Sequence, residues 1–417
     1  MTSRRSRRKL APHLAAIAVL GMSACQPALE IGESTTTSPE TTAPETTTTT
    51  TSPGTTTTTI ADPGYSHAWV VGYYPWYETS MTPPTDFPYS TVSHTVVGNV
   101  KVVNGLCCAE SNAGAIAYAT EVVTLAHAAH TQVLLLVGGS DDPPGGWIAG
   151  TQTPTATTTL ARSIVDYAKA LGVDGVDLDW EQEVDLVAEG QLAVEIRRLW
   201  PESKIMMALS PFDASYTWAP EVLASVDRFN LMNYVSVGNW GGWDGPWHQG
   251  ALFGDGPGHP LSVDRSVKRL IASGVPAAKV GIGIGLFGSA YGDSNSDGDC
   301  PSAPSSGWHG EWGAWFADSQ LTLNDIDELY APHMAETFDG ITNTPYLSAP
   351  APGAGGAAGG WPPKLCYITF ENPRSAEAKA NYVTSNGLGG VIAWAVPQDR
   401  RTDGSYPVME ALKRTFR

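Results

Sequence analysis

Three carboxylates stand two residues apart in the segment Asp174-Gly175-Val176-Asp177-Leu178-Asp179-Trp180-Glu181. In an extended strand this spacing puts Asp177, Asp179 and Glu181 on one face and Val176, Leu178 and Trp180 on the other. The apolar face marks a strand packed under other elements, so a solvated acidic edge does not fit. Carboxyl groups crowded into a low-dielectric interior cannot all ionise. They share protons, and at least one is pushed toward the range a general acid needs. A metal cage is the rival use of such a cluster, but no further segment supplying ligands is recognisable, and no metal is expected. Proton transfer is the chemistry this pattern serves. Glu181 is the candidate acid because it lies nearest the strand's C-terminal end.

The elements that must hold this strand are read from hydrophobic pattern. Near-continuous apolar runs fall at 69–74, 95–103, 132–137, 173–181, 205–210, 229–234, 280–287 and 390–396. Between them lie helix-like stretches such as 113–129, 160–171, 191–199 and 263–273. Strands buried on both faces and alternating with helices form a parallel sheet. Eight such units within 66–417 predict an α/β fold, a (β/α)₈ TIM barrel, whose active site is built at the C-terminal ends of the strands. No Gly-x-Gly-x-x-Gly follows the first run, which argues against an open dinucleotide-binding sheet. The rhythm breaks at about 288–372, a stretch rich in Gly, Pro and aromatics including Tyr330, Trp361 and Tyr367. A loop of that length predicts a small α+β insertion between strand 7 and helix 7, forming one wall of a cleft.

The 417 residues carry 24 basic and 42 acidic side chains, a formal charge of -18, which disfavours nucleic acid and anionic lipid as partners. Residues 1–25 read as a signal peptide: Arg4, Arg5, Arg7, Arg8 and Lys9 precede a short apolar run ending Met22-Ser23-Ala24-Cys25. Small residues before a cysteine resemble a bacterial lipoprotein processing site, with Cys25 receiving the lipid. Residues 26–65 are expected to be a disordered Thr/Ser/Pro-rich linker, since polar residues without apolar partners cannot offset chain entropy. The protein is then extracellular or at the cell surface, touching the membrane only through a lipid anchor, and a monomer. Of the remaining cysteines, Cys107, Cys108, Cys300 and Cys366, an even number in an exported chain favours disulfides. Three pairings are open, although the neighbours Cys107 and Cys108 bridge one another only with strain.

With these residues in view, Asp174–Glu181 resembles the signature of family-18 glycoside hydrolases, the chitinase family. Val71-Gly72-Tyr73-Tyr74 is similar to that family's first strand, Phe229-Asn230-Leu231-Met232-Asn233-Tyr234 to its sixth, and Gly387–Trp394 to its last. Lys279–Gly288 and Tyr367–Ser375 resemble the segments flanking its insertion, so the resemblance covers roughly 68–416. It implies hydrolysis of β-1,4 bonds in chitin or chitooligosaccharides, without a cofactor, by a substrate-assisted retaining mechanism. Glu181 would protonate the glycosidic oxygen, and Asp179 would hold the substrate's acetamido group as its carbonyl attacks the anomeric carbon. Asp177 would exchange a proton with Asp179, and Tyr234 would donate to the acetamido oxygen. Trp394 would floor the sugar at the cleavage point, with Met232, Tyr73 and Trp76 also at the substrate site. Trp147, Trp240, Trp243 and Trp247, in expected loops after strands, are further candidates for sugar contact.

Two positions depart from the family pattern. Leu136 stands where a serine usually precedes x-Gly-Gly, and Val235 follows Tyr234 where Asp or Asn is usual. Both bear on the surroundings of the carboxylates and leave open another N-acetylglucosamine-containing glycan, peptidoglycan or an N-glycan, cut by an endo-N-acetylglucosaminidase. A non-catalytic, chitin-binding lectin-like protein is the third reading; the retained Glu181 weighs against it.

Overall fold

The computed structural model describes residues 68–108, 113–212, 216–234, 247–256, 261–293, 315–348 and 365–417. The expected signal peptide and linker, with Cys25, lie outside the described residues, as do Val235, Trp240, Trp243, Cys300 and Trp361. Eight parallel strands close into a barrel: β1 Trp69–Pro75, β2 His94–Val100, β3 Gln132–Gly138, β4 Gly175–Asp179, β5 Lys204–Leu209, β6 Arg228–Leu231, β7 Val280–Gly285 and β8 Gly390–Trp394. Each pairs with the next in chain order, and β8 closes on β1. The expected TIM barrel is therefore present.

Alternation along the strands sorts the side chains. Val71, Tyr73, Val96, Leu134, Leu136, Met206 and Ile392 meet inside the barrel. Val70, Val97, Leu135, Leu178, Met207 and Leu231 turn outward into the larger core under the helices. On β7 the inward positions are Gly281, Gly283 and Gly285; a Cβ on Gly283 would press on Tyr234 Cδ1 at 2.9 Å. Room inside the barrel is thus made on one strand and filled from its neighbour. At the strands' N-terminal ends, Trp69 stacks on His94 and lies under the Arg228 guanidinium, closing the bottom.

Beside a short helix over Gly146–Thr151 after β3, the outside is covered among the described residues by α1 Ala113–Ala128, α2 Pro154–Leu171, α3 Leu186–Leu199, α4 Pro220–Ser225, α5 Val263–Ala272, α6 Pro373–Ser385 and α7 Pro407–Phe416. Two begin earlier than the apolar pattern suggests, because capping decides the start. Thr153 Oγ1 accepts from Ala156 N ahead of Pro154 in α2, and Asp185 accepts from Val187 N and Ala188 N ahead of α3. After β1 there is no α-helix. The 3₁₀ turns Trp76–Glu78, Pro84–Asp86 and Tyr89–Thr91 take its place, in a stretch where Pro83, Pro84 and Pro88 remove helical donors.

Between β7 and α6 stands a five-stranded antiparallel sheet, in spatial order Trp315–Thr322, Phe287–Asp293, Leu365–Thr369, Thr344–Ser348 and Ala335–Asp339. Helical turns over Leu323–Asp325, Ile326–Tyr330 and Ala331–His333 complete its α+β character. Inside it Tyr367 OH meets His248 Nδ1 at 2.7 Å, and His248 Nε2 faces Asp339 Oδ2 at 3.3 Å. The sheet rejoins the barrel through Glu371, which pairs with Lys379 of α6 with both side chains fully buried. Ser375 Oγ donates to the second Glu371 oxygen at 2.6 Å.

One open pairing is resolved and one expectation is corrected. Cys107 and Cys108 bridge each other at the end of a short hairpin, Val102–Val103 with Leu106–Cys107; Cys108 has φ of +75°, a turn that separation in sequence alone does not reveal. Cys366 is also disulfide-bonded. Trp147 and Trp247 are 3% and 2% exposed, so neither is a solvent-facing loop tryptophan.

Replacing Lys379 with Met strands the Glu371 carboxylate in the interior and is expected to cost about 3–5 kcal/mol. The denaturation midpoint reads this directly, and adding Glu371→Gln in the same chain should restore most of it.

Candidate active site

Strand β4 delivers the carboxylates. Asp177 is fully buried and Asp179 is 5% exposed, both on the barrel's inner side, while Val176 and Leu178 join the outer core. Glu181 lies two residues past the end of β4, not within the strand as its spacing suggested, and is partly buried. The Tyr73 hydroxyl donates to Asp177 Oδ2. Asp177 Oδ1 and Asp179 Oδ1 are buried with no hydrogen-bond partner. In the pairing of β3 with β4, Leu136 stands opposite Asp177, so an aliphatic side chain lies where a hydroxyl could have served that oxygen.

Proton affinities follow from this burial. Asp177 rises to about 7 through desolvation, with the Tyr73 hydroxyl pulling the other way. Asp179 is held well above the ordinary carboxylate range by burial, then by the charges of Glu181, Asp177, Glu189 and Asp142. Glu181 rises to about 7, first by desolvation and then by Asp141 and Asp142, against a backbone contact from Ser140. Burial, reinforced by these carboxylates, also keeps Tyr73 and Tyr234 protonated as hydroxyl donors.

The structure brings together most of the expected residues. Tyr73 lies in the interior cluster, and Met232, Tyr234 and Trp394 pack partly buried against it. The Tyr73 and Trp394 rings are 5.3 Å apart, and Tyr234 meets Phe287, the first residue of the insertion, edge-on at 6.2 Å. They arrive from three strands, Tyr73 from β1, Met232 and Tyr234 from the end of β6 and Trp394 from the end of β8, as in a barrel active site. Trp76 is not part of this cluster. It stands 37% exposed in the turn after β1, its ring set edge-on to Tyr77. Among the described residues, no three His, Cys, Asp or Glu side chains are grouped to hold a metal ion.

Three participants were not legible as such. Tyr77 stands half exposed in the turn after β1, with its proton affinity raised by desolvation of the hydroxyl and by the charges of Glu78, Asp141 and Glu181, which places it in the same electrostatic field. Asp141 and Asp142 lie in the turn after β3, separated from Gly138 by Gly139 and Ser140. Two consecutive acids in the turn after a barrel strand were the available signal.

The sequence pattern of glycosyl hydrolases family 18 matches residues 69–399. Chitinase B of Serratia marcescens is 26% identical over 419 residues, spanning 81% of this chain and 80% of that protein. Endochitinase 1 of Metarhizium robertsii is 25% identical over 62% of this chain, and the match spans about three fifths of that relative's length, 61%. In fold, the chain is similar to Group IV chitinase of Ostrinia furnacalis, with a TM-score of 0.69 and 19% identity over 84% of this chain and 99% of that one. It is likewise similar to a mutant class V chitinase of Nicotiana tobaccum in complex with NAG4, with a TM-score of 0.67 and 16% identity over 84% and 99% of the two chains. A match running from the first residue of β1 to the segment beyond β8 settles the family: the chain belongs to glycosyl hydrolases family 18, a family of enzymes that cut glycosidic bonds.

Proposed function

We propose that the protein hydrolyses β-1,4 bonds in chitin or chitooligosaccharides by a substrate-assisted retaining mechanism. The observation that carries this reading is the set of carboxylates at the end of β4, with Glu181 raised to about 7 beside a buried Asp179. An acid with that affinity is protonated in near-neutral water and gives up its proton as the leaving oxygen develops charge. Glu181 protonates the glycosidic oxygen. The substrate's 2-acetamido carbonyl attacks the anomeric carbon, the bond to the leaving sugar breaks, and Glu181 then takes a proton from the water that opens the oxazolinium-like intermediate. Asp179 accepts from the acetamido N–H and stabilises the positive charge, drawing on the proton it exchanges with Asp177. Tyr234 donates to the acetamido oxygen, and Trp394 supplies an apolar face for the sugar ring, with Met232 and Tyr73 beside it. Trp76, exposed on the rim, offers a second ring to a longer chain. The oligosaccharide bound in the Nicotiana structure and the names of the relatives support a glycan of N-acetylglucosamine.

The same reading includes export as a lipid-anchored, monomeric surface enzyme, with Cys25 acylated and residues 26–65 as the spacer. Cys25→Ala should move the protein from the membrane fraction to the medium; a membrane-bound variant contradicts the anchor.

Glu181→Gln is expected to lower the release of a chromophore from chitobiose and chitotriose glycosides by about 10²–10⁴-fold. Undiminished turnover removes the assignment of the acid. Activity on peptidoglycan or N-glycans with none on chitooligomers moves the substrate instead. Burial of Asp177 also has a stability cost. Its affinity is raised from 3.8 to about 7, so its contribution is fully present below about pH 4 and is lost as pH rises through 7. Asp177→Asn, which keeps an acceptor for Tyr73, is expected to unfold later than the parent at pH 8 by on the order of 2 kcal/mol while losing activity, with the gain vanishing at pH 4.

A further inference from the structure

The segment after β3 folds back along β4. Gly138 and Gly139 take φ of +109° and +115°, and a Cβ on Gly138 would collide with the Asp179 carbonyl. Gly139 N donates to Asp179 O at 2.8 Å, and Gln182 Nε2 donates to Ser140 O at 2.5 Å. Ser140, Asp141 and Asp142 are thereby laid alongside Asp179–Gln182, with Glu181 between the two ties. The two acids of this turn meet unlike surroundings. Asp142 is 4% exposed; its Oδ2 accepts from Trp147 Nε1 at 2.6 Å, and its Oδ1 has no hydrogen-bond partner. Trp147 stacks on Trp180, the neighbour of Glu181, with ring centroids 5.2 Å apart and planes at 12°. Asp141 is exposed and takes Lys101 Nζ at 2.8 Å and Asn99 Nδ2 at 2.8 Å.

We propose that Asp142 is a positioning residue for the reaction's proton: its buried charge, fixed beside β4 by Trp147, keeps the proton on Glu181, and Lys101 acts through Asp141 as the counterweight. The inference rests on Glu181 being the cleavage acid. Asp142 rises to about 6, by burial and by Asp141, against the Trp147 donor, a Val102 backbone donor and the Lys101 charge, so it is largely ionised in the range near 7 where Glu181 titrates. A fixed negative charge nearby disfavours a second one, and the two sites titrate as a coupled pair. Asp141 stays below the ordinary range; burial alone would raise it, but the Lys101 and Asn99 donors outweigh that. The other groups bearing on this pair are Tyr77 after β1, Asp177 and Asp179 on β4, Glu189 on α3 and Tyr234 after β6. Glu183 accepts from Gly145 N at 2.8 Å. Asp142 also raises Asp179, so removing its charge lowers Asp179 and Glu181 in the same direction. Asp142 is buried and tied to Trp147, so its effect is read in the proton and not in substrate affinity.

The test is the pH dependence of kcat/KM on an aryl chitobioside, with the full chain. Activity falls as pH rises through the affinity of the acid. Asp142→Asn keeps an acceptor for Trp147 and removes the charge, so the basic limb should move to lower pH by at least about 0.5 unit. Lys101→Met, at a side chain 37% exposed, leaves Asp141 uncompensated and should move the same limb to higher pH. Opposite shifts are the signature of charge, since a loosened turn displaces both variants alike or lowers kcat with the limb in place. Unmoved limbs, or shifts of one sign, overturn the inference, and an inactive Glu181→Gln then leaves the acid assignment standing. An active Glu181→Gln removes both. Should Asp142→Asn not fold, Trp147→Phe decides: it keeps the ring on Trp180 but removes the donor that holds the Asp142 charge, so the limb should move to lower pH, and an unmoved limb overturns the role.

Discussion

The dominant constraint in this molecule is the cost of placing charge inside a closed barrel. Asp177 and Asp179 are held inside β4, each with one oxygen lacking a hydrogen-bond partner, and Glu181 follows at the strand's end. Water cannot pay the solvation of these groups, so protons do. The result is a store of proton affinity near neutrality at the end of β4 where the barrel opens, built from residues that elsewhere ionise near pH 4.

The rest of the barrel is arranged around that store. Gly281, Gly283 and Gly285 on β7 give up side-chain volume so that Asn230 and Tyr234 from the neighbouring strand can turn inward. Gly138 and Gly139 let the β3 turn approach the Asp179 backbone. Leu136 faces Asp177 with an aliphatic side chain, which leaves Tyr73 as the donor that lowers its proton affinity. Phe287, which begins the inserted sheet, sets its ring edge-on to Tyr234, so the insertion meets the end of β6. Stability and chemistry oppose one another here: the burial that raises the carboxylates weakens the fold as pH rises.

What was readable in the sequence was whatever depends on local period. The alternation in 173–181 identified a strand with its acids on one face, and eight apolar runs identified the barrel that encloses it. Tyr73, Tyr234, Met232 and Trp394 were found by likeness to a family, and their shared location is a matter of tertiary packing. What escaped depends on contacts between distant segments. Trp147 reads as a loop residue, yet it is stacked on Trp180 and bonded to Asp142. Trp247 is buried where the chain after β6 meets the insertion, beside His248. The helix missing after β1 has a local cause, its prolines, which apolar periodicity does not register. The Cys107–Cys108 bridge rests on a left-handed turn at Cys108 that composition does not encode.

The central claim is that desolvation at the end of β4, with the acids beside it, keeps the proton on Glu181 near neutral pH. Its most direct test is a titration of the side-chain carboxyl carbon by NMR in protein labelled with ¹³C at glutamate Cδ, with Glu181 assigned by its loss in Glu181→Gln. The account predicts a midpoint near 7 for that resonance. A midpoint near the ordinary glutamate value of about 4.3 contradicts it.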